Sequence, residues 1–201
     1  MIRCMTLRRF TALPESDDLP DRQTHRHRGH DYTLPGLYFV TIFLEGRRAL
    51  LGRISSGEMQ LSGAGRMVET AWTDMQASCP WVRSHESIVM QDHFHGVVRI
   101  MGDQPCTERA MSGDHKDRPY PSQRPRGTLP RSLGRAIQAF KSVTTCRYVQ
   151  GVEESGWPRF ETRFWHRNYH DSVIRTQEEL DRVVAYIKNN PRRWDRSQSR
   201  S

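Results

Sequence analysis

The chain has 201 residues, with 31 Lys or Arg against 23 Asp or Glu, a formal charge of +8 and a pI near 9.8. This length allows one domain with its own hydrophobic core, and the basic excess favours a polyanionic partner, although a merely soluble basic protein has the same charge. No run approaches the ~18 apolar residues of a membrane span, and the basic N-terminus lacks the apolar segment of a signal peptide. We therefore expect a cytoplasmic protein that has no membrane contact.

The cysteines are widely and irregularly spaced, with no Cys-x-x-Cys pair. This spacing indicates neither a zinc ribbon nor a redox motif and is typical of a reduced intracellular protein. The four residues are Cys4, Cys79, Cys106 and Cys146.

The first half of the chain predicts an arm followed by mixed strands and helices. Residues 1–31 are polar and basic and hold no period, which predicts a flexible arm. Its three histidines could bind metal, although solvation or contact with DNA backbone is the commoner explanation. Residues 37–44 are β-branched and aromatic on both faces, as in a central strand, and residues 50–61 predict a small hairpin. Residues 63–78 have helical spacing, which Pro80 terminates.

A pair of histidines follows the next predicted strand, residues 81–90. His93 and His95 lie in an apolar run, and because strand side chains alternate, both point to one face while Phe94 points to the other. Two neutral imidazoles on one face can bind a divalent cation. Two solvated strand histidines are the commoner explanation of a bare His-x-His.

Basic residues recur through the second half of the chain. Residues 102–130 are rich in Pro, Gly, Ser and Arg and predict a long basic loop, which either tracks nucleic acid or is a disordered insertion. A second helix follows, with an apolar stripe from residue 133 to residue 143, and then an aromatic, basic connection. The side chains that we expect to contact DNA phosphates include Arg124, Arg126, Arg135, Lys141 and Arg167.

The last predicted helix carries the candidate nucleophile. It starts at a capping box, residues 176–179, and we expect Asn190 and Pro191 to end it. Tyr186 and Asn190 are one turn apart on the flank of its buried stripe. If this helix lies beside the histidine strand, Tyr186 could approach a cation and Asn190 could add an amide oxygen ligand. Such a mixed N/O site suits Mg²⁺ or Mn²⁺.

A tyrosine beside a bound cation can attack a phosphodiester, although its free pKa is ~10. The covalent tyrosyl-phosphate conserves the bond energy, so the cut end can be rejoined elsewhere, which is transesterification rather than hydrolysis. Taken singly, an amphipathic-helix tyrosine and a helix-terminal asparagine explain Tyr186 and Asn190 more simply.

An ordered set of motifs resembles the single-tyrosine HUH transposases, and most of all the branch associated with repetitive extragenic palindromes. The resemblance covers about residues 32–194. Family members commonly have Pro-Asn before the first histidine, where this chain has Gln91-Asp92, which adds a carboxylate near the metal. The motifs are Tyr38-Phe39-Val40-Thr41, residues 89–96, Phe140-Lys141-Ser142, residues 164–169 and residues 186–191.

The resemblance implies an α+β fold: a ferredoxin-like or RRM-like antiparallel sheet with helices packed on one face, as a single domain over residues 32–194 with a basic tail at 195–201. It implies a nickase and strand transferase for single-stranded DNA, often folded as hairpins. His93 and His95 match the two metal ligands, and Asn190 matches the polar residue that completes the site. Tyr186 matches the nucleophile, which would form a 5′-phosphotyrosine and leave a free 3′-OH; Tyr169 is the other tyrosine to consider.

Two other readings stay open. A non-catalytic binding module with an RRM-like sheet could hold single-stranded nucleic acid and would need neither metal nor Tyr186. A replication or mobilisation initiator would use the same chemistry but usually carries further domains. Relatives include dimers whose tyrosine helix serves the partner's site, so a homodimer is also an open expectation.

Overall fold

The structure is a computed structural model that describes residues 30–102 and 128–198, with side chains as far as residue 195. The predicted arm up to residue 29, most of the basic loop including Arg124 and Arg126, and the end of the tail lie outside the described residues. In the described part, no helix is both long and apolar enough to cross a membrane.

A four-stranded antiparallel sheet is the centre of the fold. The predicted hairpin forms a separate two-stranded sheet, β2 (Gly52–Ser55) and β3 (Glu58–Leu61). The prediction of an α+β fold with an antiparallel sheet is confirmed. In spatial order, the four strands are β4 (Val82–Val89), β5 (His93–Ile100), β1 (Gly36–Phe43) and β6 (His170–Ile174).

Helices α1 (Gly63–Thr73) and α3 (Leu133–Ser155) pack on one face of this sheet and bury the main core. Alternation places Tyr38, Val40 and Ile42 of β1 on that face, while β5 contributes Phe94 and Val98. The predicted helix over residues 63–78 bends at Asp74, and its last turn is the separate α2 (Met75–Ser78). Trp165 is also buried in this core.

The last helix, α4 (Gln177–Gln198), lies against the opposite face of the sheet. Its buried stripe includes Leu180 and Ile187, which pack on Leu37 of β1, Val97 of β5 and Ile174 of the edge strand β6. The histidines of β5 alternate with Phe94 and so lie on this same face. The face that carries the candidate site is thus the one that α4 partly covers.

The expectation that Asn190 and Pro191 end this helix is wrong, because α4 continues for two further turns. A proline inside a helix removes one backbone hydrogen bond and costs ~3 kcal/mol. Pro191 is buried, and the residues after it pack on the hairpin of β2 and β3, where Arg192 approaches Gly57. This tertiary packing offsets the cost of the proline.

Gly96, directly after the second histidine, fits under the indole of Trp72. A Cβ at residue 96 would lie 2.5 Å from Cζ2 of Trp72 and 2.7 Å from Cε1 of Phe94. Real Cβ contacts do not approach so closely, and both rings are buried. The strand that holds the histidines therefore needs a residue without a side chain here.

We expect Gly96→Ala to lower the free energy of unfolding by ~1–3 kcal/mol, because the added methyl group overpacks the core. The control is Gly36→Ala in β1, where a Cβ would have only an ordinary 3.6 Å contact with Tyr38. Urea unfolding followed by tryptophan fluorescence measures both. Equal stability of the two variants would contradict this account of the packing.

Candidate active site

A row of four side chains crosses the sheet on the face that α4 partly covers. Strand register places Ile88 opposite His95, His95 opposite Thr41, and Thr41 opposite His170. His93 stands two residues away on β5, opposite Phe43. The backbone pairing therefore fixes both histidines at the middle of the sheet, as the alternation of the sequence predicts.

The two imidazoles converge through their Nε2 atoms, which are 3.1 Å apart. The other nitrogen of each ring is already engaged: Nδ1 of His93 lies 2.6 Å from Oδ1 of Asp92, and Nδ1 of His95 lies 2.8 Å from Oγ1 of Thr41. Two adjacent ligands ~2.1 Å from an octahedral cation are ~3.0 Å apart. Both the spacing and the free nitrogen pair fit a divalent cation.

Burial keeps His95 in the neutral form that a cation requires. His93 and His95 are 5% and 4% exposed. Desolvation, reinforced by the charges of His93 and Arg47, lowers the pKa of His95 to about 3, so its ring is neutral at pH 7. Burial also acts to raise the pKa of Asp92, but its hydrogen bond with His93 and the charge of Arg47 outweigh burial, so the net shift is downward and the carboxyl is ionised.

Tyr186 of α4 stands over the histidines of its own chain. Its ring centroid is 5.3 Å from that of His95 and 6.0 Å from that of Phe39, which in turn stacks on His95. The guanidinium of Arg193 lies over the same ring. Tyr186 is 36% exposed, so a phosphodiester can reach it from solvent.

Asn190 lies between two contacts of the helix with the histidines. Tyr186 precedes it by one turn and adjoins His95, while Trp194 follows it by one turn and has its ring 6.4 Å from that of His93. Asn190 itself is buried. In residues 30–102 and 128–195, no cluster of three His, Cys, Asp or Glu side chains could hold a metal.

The other candidate tyrosine occupies a different environment. Tyr169 is partly buried against the core on the face covered by α1 and α3, and the ammonium of Lys141 lies 5.6 Å from its ring centroid. The structure thus brings Tyr186, not Tyr169, to the histidines.

Lys141 has a position that the sequence did not indicate. Its ammonium donates to three backbone carbonyls, of His166 at 2.9 Å, Asn168 at 3.2 Å and Arg167 at 3.3 Å. Burial lowers the pKa of Lys141 to about 8, and the group is still mostly protonated at pH 7. Because its three donors are engaged, Lys141 holds the segment over residues 166–168 in place, rather than offering a free ammonium to DNA.

Of the other predicted DNA contacts, Arg135 and Arg167 are described, and both are exposed and do not adjoin the histidines. Arg135 lies in the first turn of α3 on the other side of the sheet and bonds Gln138. Arg167 lines an open groove of about 520 Å³ that runs between α3 and the segment over residues 160–167. The segment that lines this groove also contacts the sheet near the site. The backbone amide of His166 donates to the carbonyl of Phe43, and Phe43 pairs with His93 across the two strands.

The sequence analysis predicted no role in the site for four residues that surround the histidines: Thr41, Phe43, Arg47 and Trp194. Thr41 and Phe43 were detectable in principle, because they occupy alternate positions of a central strand and would share the face of the histidines. Arg47 and Trp194 gave no such signal, since their contacts depend on a tight turn and on the helix beyond Pro191.

We expect Lys141→Met, which keeps the length of the side chain, to lower the free energy of unfolding by ~1.5–3 kcal/mol, because charged hydrogen bonds to three carbonyls are lost. Arg167→Met should leave stability within ~0.5 kcal/mol, since its side chain is exposed. Denaturant unfolding measures both. A Lys141→Met protein as stable as the wild type would contradict the structural role of Lys141 and favour its predicted contact with DNA phosphates.

Comparisons with known proteins place the chain by its fold. No family model matches the sequence. A Haemophilus influenzae (strain KW20, Rd) protein, described as uncharacterized, is 27% identical over 186 residues, which cover 88% of this chain and 92% of that protein. A candidate transposase from Deinococcus radiodurans R1 aligns over 82% of this chain and 95% of its own, with a TM-score of 0.46 and 12% identity.

A solved structure of a REP-associated tyrosine transposase bound to a REP hairpin matches more of the architecture. It aligns over 84% of this chain and 74% of its own, with a TM-score of 0.53 and 15% identity. At that identity the likeness shows the fold. The chain shares the antiparallel α+β fold of that hairpin-bound transposase.

Proposed function

We propose that the protein nicks single-stranded DNA in a metal-dependent reaction and transfers the strand through a covalent 5′-phosphotyrosine. One observation carries the proposal: Tyr186 adjoins His95, and the Nε2 atom of His95 faces that of His93 at 3.1 Å, all within one chain. Two facing imidazoles and a partly exposed phenol are groups suited to metal-assisted phosphoryl transfer to tyrosine.

Each residue of the site has a separate role in this proposal. His93 and His95 would hold Mg²⁺ or Mn²⁺ through Nε2, with the amide oxygen of Asn190 as a third ligand. When bound, the cation supplies polarisation of the scissile phosphoryl oxygen. The Tyr186 oxygen attacks phosphorus as its proton leaves to solvent, the bond from phosphorus to the 3′ oxygen breaks, and that oxygen is protonated to a free 3′-OH. Reversal of this step with another 3′-OH rejoins the strand.

DNA folded as a hairpin is the substrate that we favour. The solved transposase with the same fold is bound to a REP hairpin. In this chain, Arg163 and Arg167 line the groove along residues 160–167. The segment that carries them contacts the end of β1 at Phe43. A basic groove next to a phosphodiester-cleaving site suits the flanking part of such a substrate.

A binding module without catalysis is the second candidate. Phe39 and Phe43 are partly exposed on the face of the histidines, and aromatic side chains on a sheet can stack with unpaired bases. This function needs no role for Tyr186 or for metal. The covalent adduct distinguishes it from the enzyme.

We expect the wild-type protein, incubated with hairpin-bearing single-stranded DNA and Mn²⁺, to form an adduct that migrates as protein plus DNA on a denaturing gel. Tyr186→Phe removes the attacking oxygen and should abolish the adduct, while DNA affinity stays within ~2-fold because the ring remains. Tyr169→Phe is the matched control and should form the adduct normally. An adduct with Tyr186→Phe would refute the assignment of the nucleophile.

Because α4 lies on the sheet of its own chain, we expect the tyrosine to act on that chain's site. A mixture of Tyr186→Phe and His95→Ala proteins should therefore form no adduct, whichever ratio is used. If mixing restores the adduct, the helix is exchanged between subunits and the active form is a homodimer. Circular dichroism of each variant checks that both are folded.

A further inference from the structure

Asp92 connects His93 to a residue of a distant turn. The carboxylate of Asp92 is 6% exposed, with Oδ1 2.6 Å from Nδ1 of His93 and Oδ2 2.7 Å from Nε of Arg47. An ionised carboxylate can only accept a hydrogen bond, so Nδ1 of His93 is the donor and carries a proton. Nε2, which faces His95, is therefore the ring nitrogen that can ligate a cation.

The conformation of the turn that carries Arg47 supports the contact between Arg47 and Asp92. Arg47 has a φ of +55° and follows Gly46 at +65°, and a non-glycine residue there persists only when its surroundings enforce it. Its guanidinium lies 4.1 Å above the Phe43 ring, and the backbone amide of Leu44 donates to the carbonyl of Asp92 at 2.8 Å. The turn and Asp92 therefore support each other through both side chains and backbone.

The hydrogen-bond partner of Nδ1 in His95 is a hydroxyl, whereas the partner of Nδ1 in His93 is a carboxylate. A hydroxyl both donates and accepts, so Thr41 allows His95 to carry its proton on either nitrogen. Without a cation, a proton on Nε2 of His95 can bridge the 3.1 Å gap to His93 while Thr41 donates to Nδ1. For both Nε2 atoms to bind a cation, that proton has to move to Nδ1 and Thr41 has to accept it.

We propose that Asp92, held by Arg47, is a positioning residue that fixes the His93 ring and its Nδ1–H form, so that Nε2 is always ready to ligate. The inference rests on the proposed function, because it concerns the cation that His93 and His95 would share. His93 is then the fixed ligand and His95 the adjustable one. Asp92, the residue before the first histidine, is thus the charged group that orients His93.

The test measures Mn²⁺ affinity by electron paramagnetic resonance and the form of the His93 ring by ¹⁵N nuclear magnetic resonance of the full chain without metal. We expect Asp92→Ala to weaken Mn²⁺ binding ~10–100-fold, the usual loss for a group that orients a ligand, and to shift the His93 nitrogens toward a mixture of forms. Asp92→Asn, whose amide oxygen can still accept from Nδ1, should recover part of that affinity. Arg47→Ala should weaken binding less than Asp92→Ala.

Arg53→Ala is the matched control, since Arg53 is an arginine of the β2–β3 hairpin whose side chain bonds Gln60. It should keep wild-type Mn²⁺ affinity and wild-type His93 shifts. If Asp92→Ala fails to fold, Asp92→Asn and Arg47→Ala carry the test. Wild-type affinity and shifts in both of these folded variants would overturn the proposal.

The two proposals can fail separately. Wild-type protein that binds Mn²⁺ but forms no adduct with hairpin DNA overturns the proposed function, and the affinity and ring measurements still decide the role of Asp92. Wild-type protein that forms the adduct while Asp92→Asn and Arg47→Ala bind Mn²⁺ normally overturns the positioning role alone. Absence of Mn²⁺ binding by the wild type overturns both.

Discussion

Two buried imidazoles that face each other through Nε2 are the constraint on which the rest of the site depends. Burying them requires a partner for each Nδ1, and the fold supplies Asp92 for one ring and Thr41 for the other. With both Nδ1 atoms engaged, the remaining nitrogens face each other and could share a cation. The strand register of β1 and β5 sets this arrangement, because it places Thr41 directly opposite His95.

The last helix completes the site by crossing above this pair. Its apolar stripe fixes it to Leu37, Val97 and Ile174, and that docking positions Tyr186 at His95. The continuation beyond Pro191 matters as much, since it brings Trp194 to His93 and encloses Asn190 between the two contacts. A helix that stopped at Asn190 would leave His93 open to water. The proline that the sequence suggests as a terminator is thus an internal residue of the element that covers the site.

The sequence predicts the parts of this arrangement that depend on local period. The alternation around Phe94 puts both histidines on one face, and the spacing of Leu180 and Ile187 gives the buried stripe of α4 and hence the flank on which Tyr186 lies. It does not predict contacts set by tertiary packing. Nothing in the run around Lys141 indicates that three carbonyls 25 to 27 residues away take up its donors. A lysine among apolar helix residues resembles a surface cation until the neighbouring segment is in place.

The same limit applies to the acid that precedes the first histidine. From sequence, Asp92 is a carboxylate near a metal, and a first ligand is as reasonable a role as a second contact. The structure decides between them through Arg47, which is 45 residues away in the chain and occupies Oδ2 while His93 occupies Oδ1. Because both oxygens are engaged away from Nε2, Asp92 would act on a bound cation by orienting His93 rather than as a ligand. Under the proposed function, the phosphodiester would approach from the solvent side, where Tyr186, Arg193 and Arg47 are exposed.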